Sequence, residues 1–194
     1  MRPIQVTVDT SSPKKHAKTF KAWVENLQKD LQALQQVPDN IVIFTDGAYH
    51  HADHRAAYAY TYLTRDRTTW HEASGWCPAA SSFDAEIRAI ESALEHAVTR
   101  TTNSGIVLVI DNKAAANALF NFNVQSSQMA IVRINHLLAP WLSEDPKRHL
   151  TIQFAPSHQG IDGNERADRL TKTGLFFFFF FFNDKVDKFN VSTT

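Results

Sequence analysis

The sequence predicts an α/β fold, a mixed five-stranded sheet flanked by helices, and three observations carry that prediction. Two apolar, β-branched runs, Ile41-Val42-Ile43-Phe44-Thr45 and Ile106-Val107-Leu108-Val109-Ile110, each stop at a carboxylate, Asp46 and Asp111. Continuous apolar runs stopped by polar residues mark strands buried on both faces. Between them, Ala85, Ile90, Ala93, Leu94 and Ala97 approximate the i, i+3, i+4 stripe of a helix packed on one side.

The chain divides into three parts. Residues 1–39 form an N-terminal linker with a helix. Its lead, Met1 to Pro13, is polar and reads as loose. Lys14 to Gln36 then places Phe20, Trp23, Val24, Leu27, Leu31 and Leu34 near one stripe, and Pro38 ends the helix. Residues 40–175 form the core domain. After the Asp46 strand, Ala56 to Leu63 and Thr68 to Trp76 read as antiparallel strands joined at Arg65-Asp66-Arg67. The Glu86 helix and the Asp111 strand follow. Two helices, Ala114 to Phe120 and about Ser127 to Leu142, lead to a strand at Leu150 to Phe154 and a last helix carrying Asp168. Residues 176–194 break with this logic. Phe176 to Phe182 is an unbroken phenylalanine run, an aggregation hazard if exposed and too short to span a bilayer. The run reads as a homopolymeric tract translated past the end of the domain, with an unrelated tail behind it.

Composition narrows the function classes. A hydrophobic share of 43% in 194 residues suits one globular domain with extensions. Cys77, the only cysteine, excludes an intramolecular disulfide and reads as a packed thiol. With no apolar signal core and no run of transmembrane length, the expectation is an intracellular protein with no membrane partner.

The chemistry lies in carboxylates at strand ends and helix starts. Asp46 and Asp111 end two strands that, as neighbours, lie about 4.8 Å apart. Glu86 sits near the start of a helix that Ser81 or Ser82 can cap. Asp168 follows the glycine-rich bend Ser157-His158-Gln159-Gly160-Ile161-Asp162-Gly163, and so occupies the first turns of a helix, with His158 on the loop before it. Singly, each acid has an ordinary reading as a turn former, a helix-dipole partner or a surface ion pair of Asp168 with Arg166 or Lys172. Together they would repel unless cations neutralised them. Hard oxygen donors suit Mg²⁺, with Mn²⁺ as a substitute.

In this order, Thr45-Asp46-Gly47, Asp84-Ala85-Glu86-Ile87-Arg88-Ala89-Ile90, Val109-Ile110-Asp111-Asn112-Lys113-Ala114-Ala115 and Ser157 through Asp168 resemble the type 1 ribonuclease H domain. The likeness is greatest to domains attached to non-LTR retrotransposon reverse transcriptases, and it covers roughly residues 41–175. It implies a ribonuclease H-like sheet, with Asp46, Glu86, Asp111 and Asp168 as metal ligands and His158 as the loop histidine that shuttles a proton or aids product release. It further implies an endonuclease that hydrolyses the RNA strand of RNA–DNA hybrids with two divalent ions, leaving 5′-phosphate and 3′-hydroxyl ends, and a reverse transcriptase domain as partner in a larger polyprotein. Two such ions, about 3.5–4 Å apart, activate a water and stabilise the leaving oxygen. The lysine-rich helical handle carried by many members is absent, since Asn121 to Pro140 has Arg133 as its only Lys or Arg.

Substrate contacts are less sharply written. Gly47 and Ala48 are candidates to offer backbone groups to the RNA strand. Ser81 and Ser82 match positions that touch the minor groove and sugar. Lys113 stands where the family commonly has Gln, and is a candidate phosphate contact. His50, His51 and His54 read as an exposed loop. Residues 40–175 hold 12 Lys and Arg against 14 Asp and Glu, a net −2 that becomes +2 without the four metal-assigned acids. Duplex affinity normally rests on a basic face, so the domain alone is expected to bind weakly. The alternative reading is a catalytically silent, nucleic-acid-binding relic of a mobile element. A third keeps the fold and cuts DNA, against which the Asn164-Glu165-Arg166-Ala167-Asp168 context argues.

Overall fold

The structure, a computed structural model, describes residues 5–186 apart from 53, 79–80, 101 and 122–125, and beyond residue 175 its backbone alone. Eleven elements follow one another: β1 (Val6–Asp9), α1 (Phe20–Gln36), β2 (Asn40–His50), β3 (Arg55–Leu63), β4 (Trp70–Cys77), α2 (Ser82–Arg100), β5 (Gly105–Ile110), α3 (Lys113–Ala118), α4 (Gln128–Glu144), β6 (His149–Phe154) and α5 (Asp162–Val186). The sheet is mixed and has six strands rather than five, in the order β1-β6-β5-β2-β3-β4. The sixth corrects the reading of the N-terminal lead as loose. Val6 to Asp9 pairs in parallel with Leu150 to Gln153, and Leu150 N donates to Gln5 O at 2.7 Å. The alternation in Val6-Thr7-Val8-Asp9 is a strand pattern, too short to stand out beside the polar residues around it.

The two apolar runs form the parallel centre of the sheet, β2 beside β5, and both faces are covered. On one face, Ile41, Ile43, Ile106, Leu108, Ile110, Leu150 and Ile152 pack against Ile87, Ile90 and Leu94 of α2 and Ile131, Ile134 and Leu138 of α4. On the other, Val42, Phe44, Val107 and Val109 meet Leu27 and Leu31 of α1. The α1 stripe therefore covers the sheet. Side chains alternate between faces along a strand, which explains how one unbroken apolar run serves two cores.

Two close approaches set the helices against β2. A Cβ on Gly47 would lie 2.2 Å from Glu86 N, so α2 comes down on the strand at the residue that carries Glu86. A Cβ on Gly163 would lie 2.1 Å from the Phe44 ring, so α5 crosses the opposite face equally tightly. Arg166 further ties α5 to β4, reaching Glu72 at 3.2 Å and lying 4.8 Å from the Trp70 ring centroid. No helix lies between α3 and α4 among the described residues. Helix α5 continues through the phenylalanine run to Val186, and the tail from 187 lies outside the described residues, as do residues 1–4 of the lead.

Glu91 of α2 is buried and is held by Arg88 at 2.7 Å and by Arg133 of α4 at 2.5 Å, fastening α4 to α2. Burial alone would raise its pKa. The hydrogen bonds from Arg133 and Arg88 outweigh it and hold the carboxyl below its ordinary 4.5. A depressed folded-state pKa stabilises above the unfolded value and is lost on acidification. Glu91→Gln should therefore cost about 1–2 kcal/mol near neutral pH, less than a fully buried pair because both arginines reach solvent. In urea titrations at several pH values, the gap from wild type should shrink as the pH falls below 4.5. At Gly163, alanine would add about 0.5–1 kcal/mol of helix propensity. The collision with the buried Phe44 ring costs about 1–3 kcal/mol, so Gly163→Ala should lower the melting temperature rather than raise it.

Candidate metal centre

The strand register builds the centre. Thr45 stands opposite Ile110 in the parallel β2–β5 pair, so the next residues, Asp46 and Asp111, emerge side by side. The Gly47 contact brings the start of α2 onto the same point, and the Gly47 N–H bonds to the Glu86 carboxylate. One carboxylate oxygen each from Asp46, Glu86 and Asp111 then lie within 4.8 Å of one another. Asp46 and Glu86 are buried and Asp111 is half-buried.

Crowded like charges disfavour ionisation, and all three acids register it. Burial raises the Asp46 pKa, Thr171 opposes the rise through a hydrogen bond, and the Asp168 charge adds to it. Burial and then the charges of Asp111 and Asp46 push Glu86 well above the usual carboxylate range. Asp111 is raised to about 6 by burial and by Asp46. Glu86 Oε2 is buried with no hydrogen-bond partner among the described residues. A buried, unpartnered oxygen among three repelling carboxylates fits a hard divalent cation, which would neutralise the charge and complete the donor's coordination.

Asp168 stands beside this group rather than in it. Its charge acts on Asp46 and Asp111, but its carboxylate is held by Lys172 at 2.7 Å. With His158 and Glu165 it forms a second set of potential ligands whose atoms lie within 4.8 Å of one another. His158 is exposed in the β6–α5 loop, at a backbone φ of 56° that non-glycine residues seldom adopt. Glu165 steadies the loop: it accepts from Gly160 N at 3.1 Å and lies 3.9 Å from His158 Nδ1.

The remaining candidates divide. Gly47 is buried and its N–H serves Glu86, while Ala48 lies in the β2–β3 ladder opposite Ala57. Ser81 caps α2: its hydroxyl accepts from Asp84 N at 3.2 Å and donates to Asp84 Oδ2 at 2.8 Å. Ser82 is exposed in the first turn. Lys113 turns toward the N-terminal segment, donating to Ser12 Oγ at 2.5 Å and lying 4.6 Å from the Phe154 ring centroid. His50, His51 and His54 are exposed around the β2–β3 turn, and Tyr49 bonds His54 Nδ1 at 2.8 Å. Cys77 is buried, and burial raises its thiol pKa.

Sequence reasoning passed over Thr171 and Glu165, and named Lys172 only as a surface ion-pair partner of Asp168. Thr171 is fully buried, and its hydroxyl donates to Asp46 Oδ2. The available signal was spacing: Asn164, Ala167 and Thr171 are buried on one face of α5, a stripe too polar to register as hydrophobic.

A carboxyl whose pKa is raised in the folded state costs stability wherever it is ionised. Asp111→Asn should therefore raise the melting temperature of the metal-free protein at neutral pH. Calorimetric Mn²⁺ binding should weaken as the pH falls through about 6, as protons compete for Asp111.

The sequence profile of the RNase H family matches residues 38–176. No curated protein matches the chain. Among solved structures, RNase H1 from the halophilic archaeon Halobacterium salinarum is similar at 22% identity and a TM-score of 0.54, over 71% of this chain and 98% of that one. The PFV RNase H domain matches at 21% identity and 0.55, over 71% and 94%. The foamy viral protease–reverse transcriptase, solved with an RNA/DNA hybrid, matches at 17% identity and 0.58, over 88% of this chain and 22% of the viral one. Likeness at these identities concerns the fold, and the profile match spans well over half the sequence: the chain belongs to the RNase H family.

Proposed function

We propose that the protein is an endonuclease that hydrolyses the RNA strand of RNA–DNA hybrids with two divalent ions, leaving 5′-phosphate and 3′-hydroxyl ends. The observation that carries this reading is the convergence of Asp46, Glu86 and Asp111 within 4.8 Å. Asp46, Glu86 and Asp111 would hold the ions with Asp168 beside them, and Mg²⁺ fits the all-oxygen donor set, with Mn²⁺ able to replace it. Bound ions of this kind supply activation of water and stabilisation of the leaving oxygen in an in-line displacement.

The protein's own groups do the rest. Burial of Asp46 and Glu86 keeps bulk water from their oxygens, so their charge acts at close range. His158, exposed on a loop that Glu165 steadies, is placed to carry a proton between the site and solvent or to help the product leave. Imidazole suits that task because its two ring nitrogens can accept a proton on one side and donate one on the other.

Hybrid affinity is supplied in part from outside the domain. Residues 40–175 carry a net −2, and Lys113 is occupied by Ser12 and Phe154. The foamy viral neighbour, in which the matching region is 22% of a protease–reverse transcriptase, supports a setting beside a polymerase. We assign that partner to the non-LTR retrotransposon class on the motif likeness, with residues 40–175 as the nuclease domain in an intracellular polyprotein. No helix among the described residues is long and apolar enough to cross a membrane.

The test is incubation of the full chain with a labelled RNA–DNA hybrid in Mg²⁺, Mn²⁺ or EDTA. Metal-dependent cutting of the RNA strand should vanish in Asp46→Asn and Asp111→Asn. His158→Ala should retain cutting at a kcat lower by about 10²-fold, the scale of general acid–base catalysis. A folded protein that binds the hybrid but leaves the RNA intact with either metal would instead be the silent relic.

A further inference from the structure

Thr171 lies in α5, three residues beyond Asp168, and is fully buried. Its Oγ1 lies within hydrogen-bond distance of two acceptors, Asp46 Oδ2 and, at 2.8 Å, the Asp168 carbonyl oxygen in its own helix. A hydroxyl has one proton to give. An ionised carboxylate is the stronger acceptor, since bonds to charged partners are shorter and roughly twice as strong as neutral ones. Whenever Asp46 is charged, the proton therefore points to Asp46, across from α5 to β2.

That bond is placed to do two things. It selects one orientation of the Asp46 carboxylate, and it anchors the turn of α5 that presents Asp168 to the strand that presents Asp46. Among the described residues no other side chain of α5 bonds Asp46: Asp168 only repels it, and the Asp168 carboxylate is itself engaged by Lys172. Asp168, Lys172 and His158 act on Asp46 electrostatically, as do the neighbouring acids Glu86 and Asp111, and none of them fixes an individual oxygen as a direct hydrogen bond does. We infer that Thr171 is a positioning residue of the metal centre: its hydroxyl orients Asp46 and holds Asp168 in register with it. This rests on the metal-centre reading above. Groups that hydrogen-bond a metal ligand from behind commonly govern metal affinity by about 10–100-fold.

Threonine-to-valine keeps the shape and removes the donor, and threonine-to-serine keeps the donor. In calorimetric titration of the full chain with Mn²⁺, without nucleic acid, Thr171→Val should bind about 10–100-fold more weakly than wild type. Thr171→Ser should restore binding, and Asp46→Asn serves as the control for a lost ligand. In hybrid cleavage at saturating metal, Thr171→Val should lower kcat and leave KM for the hybrid unchanged. A purely structural role would instead shift the melting temperature and leave Mn²⁺ affinity where it was. If Thr171→Val does not fold, Thr171→Ala against Thr171→Ser gives the same contrast. Wild-type affinity and kcat in the donor-less variant, with Asp46→Asn defective, would overturn the role of Thr171 and leave the metal centre standing. Wild type binding Mn²⁺ no better than Asp46→Asn would overturn both.

Discussion

Mutual repulsion among carboxylates is the constraint on which the rest of the molecule depends. Asp46, Glu86 and Asp111 have no reason of their own to share 4.8 Å of space. They are brought there by forces acting elsewhere: apolar pairing of β2 with β5, burial of α2 against the sheet, and the missing side chain at Gly47 that lets the helix close in. The hydrophobic core on both faces of the sheet opposes an electrostatic cost that is concentrated at one end of two strands. Polar satisfaction is correspondingly uneven. Thr171 and Gly47 each give one hydrogen bond to the group, and Glu86 Oε2 receives none among the described residues.

Much of this arrangement is legible in the sequence. Long apolar runs report burial on two faces directly, and a carboxylate that ends such a run must sit on a sheet rim. Two of the four acids, Asp46 and Asp111, are therefore placed by that pattern alone, and Glu86 is placed by the stripe of its helix. Asp168 is read onto the helix that carries it, and spacing offers Arg166 and Lys172 alike as its ion-pair partner; the packed helix selects Lys172. The face of α5 turned to the sheet was hidden for a related reason. Helical periodicity is read from apolar side chains, and Asn164, Ala167 and Thr171 are buried without being strongly apolar.

Roles proved harder to read than places. Ser81 and Asp84 bond each other across the first turn of α2, a local capping pair that spacing suggests equally well as a substrate contact. Lys113 shows the same ambiguity. A cation two residues past an acid looks free in sequence, yet a segment about a hundred positions away, around Ser12, occupies it. Such long-range partners leave no local trace, and the number of free cations on the domain is smaller than composition suggests.

The segment around Ser12 and β1 has a consequence for where this domain physically begins. The family likeness starts at residue 38, but the sheet does not. Gln5 Nε2 reaches the carbonyl oxygens of Leu142, Asp145 and Arg148 at 2.8, 3.2 and 3.1 Å, and β1 occupies the ladder positions along β6. A protein trimmed to its recognisable segment would leave β6 as an open edge, with a row of peptide groups ready to pair with another chain. Self-association of such a trimmed domain would follow from its missing border strand, independently of the phenylalanine run at the other terminus.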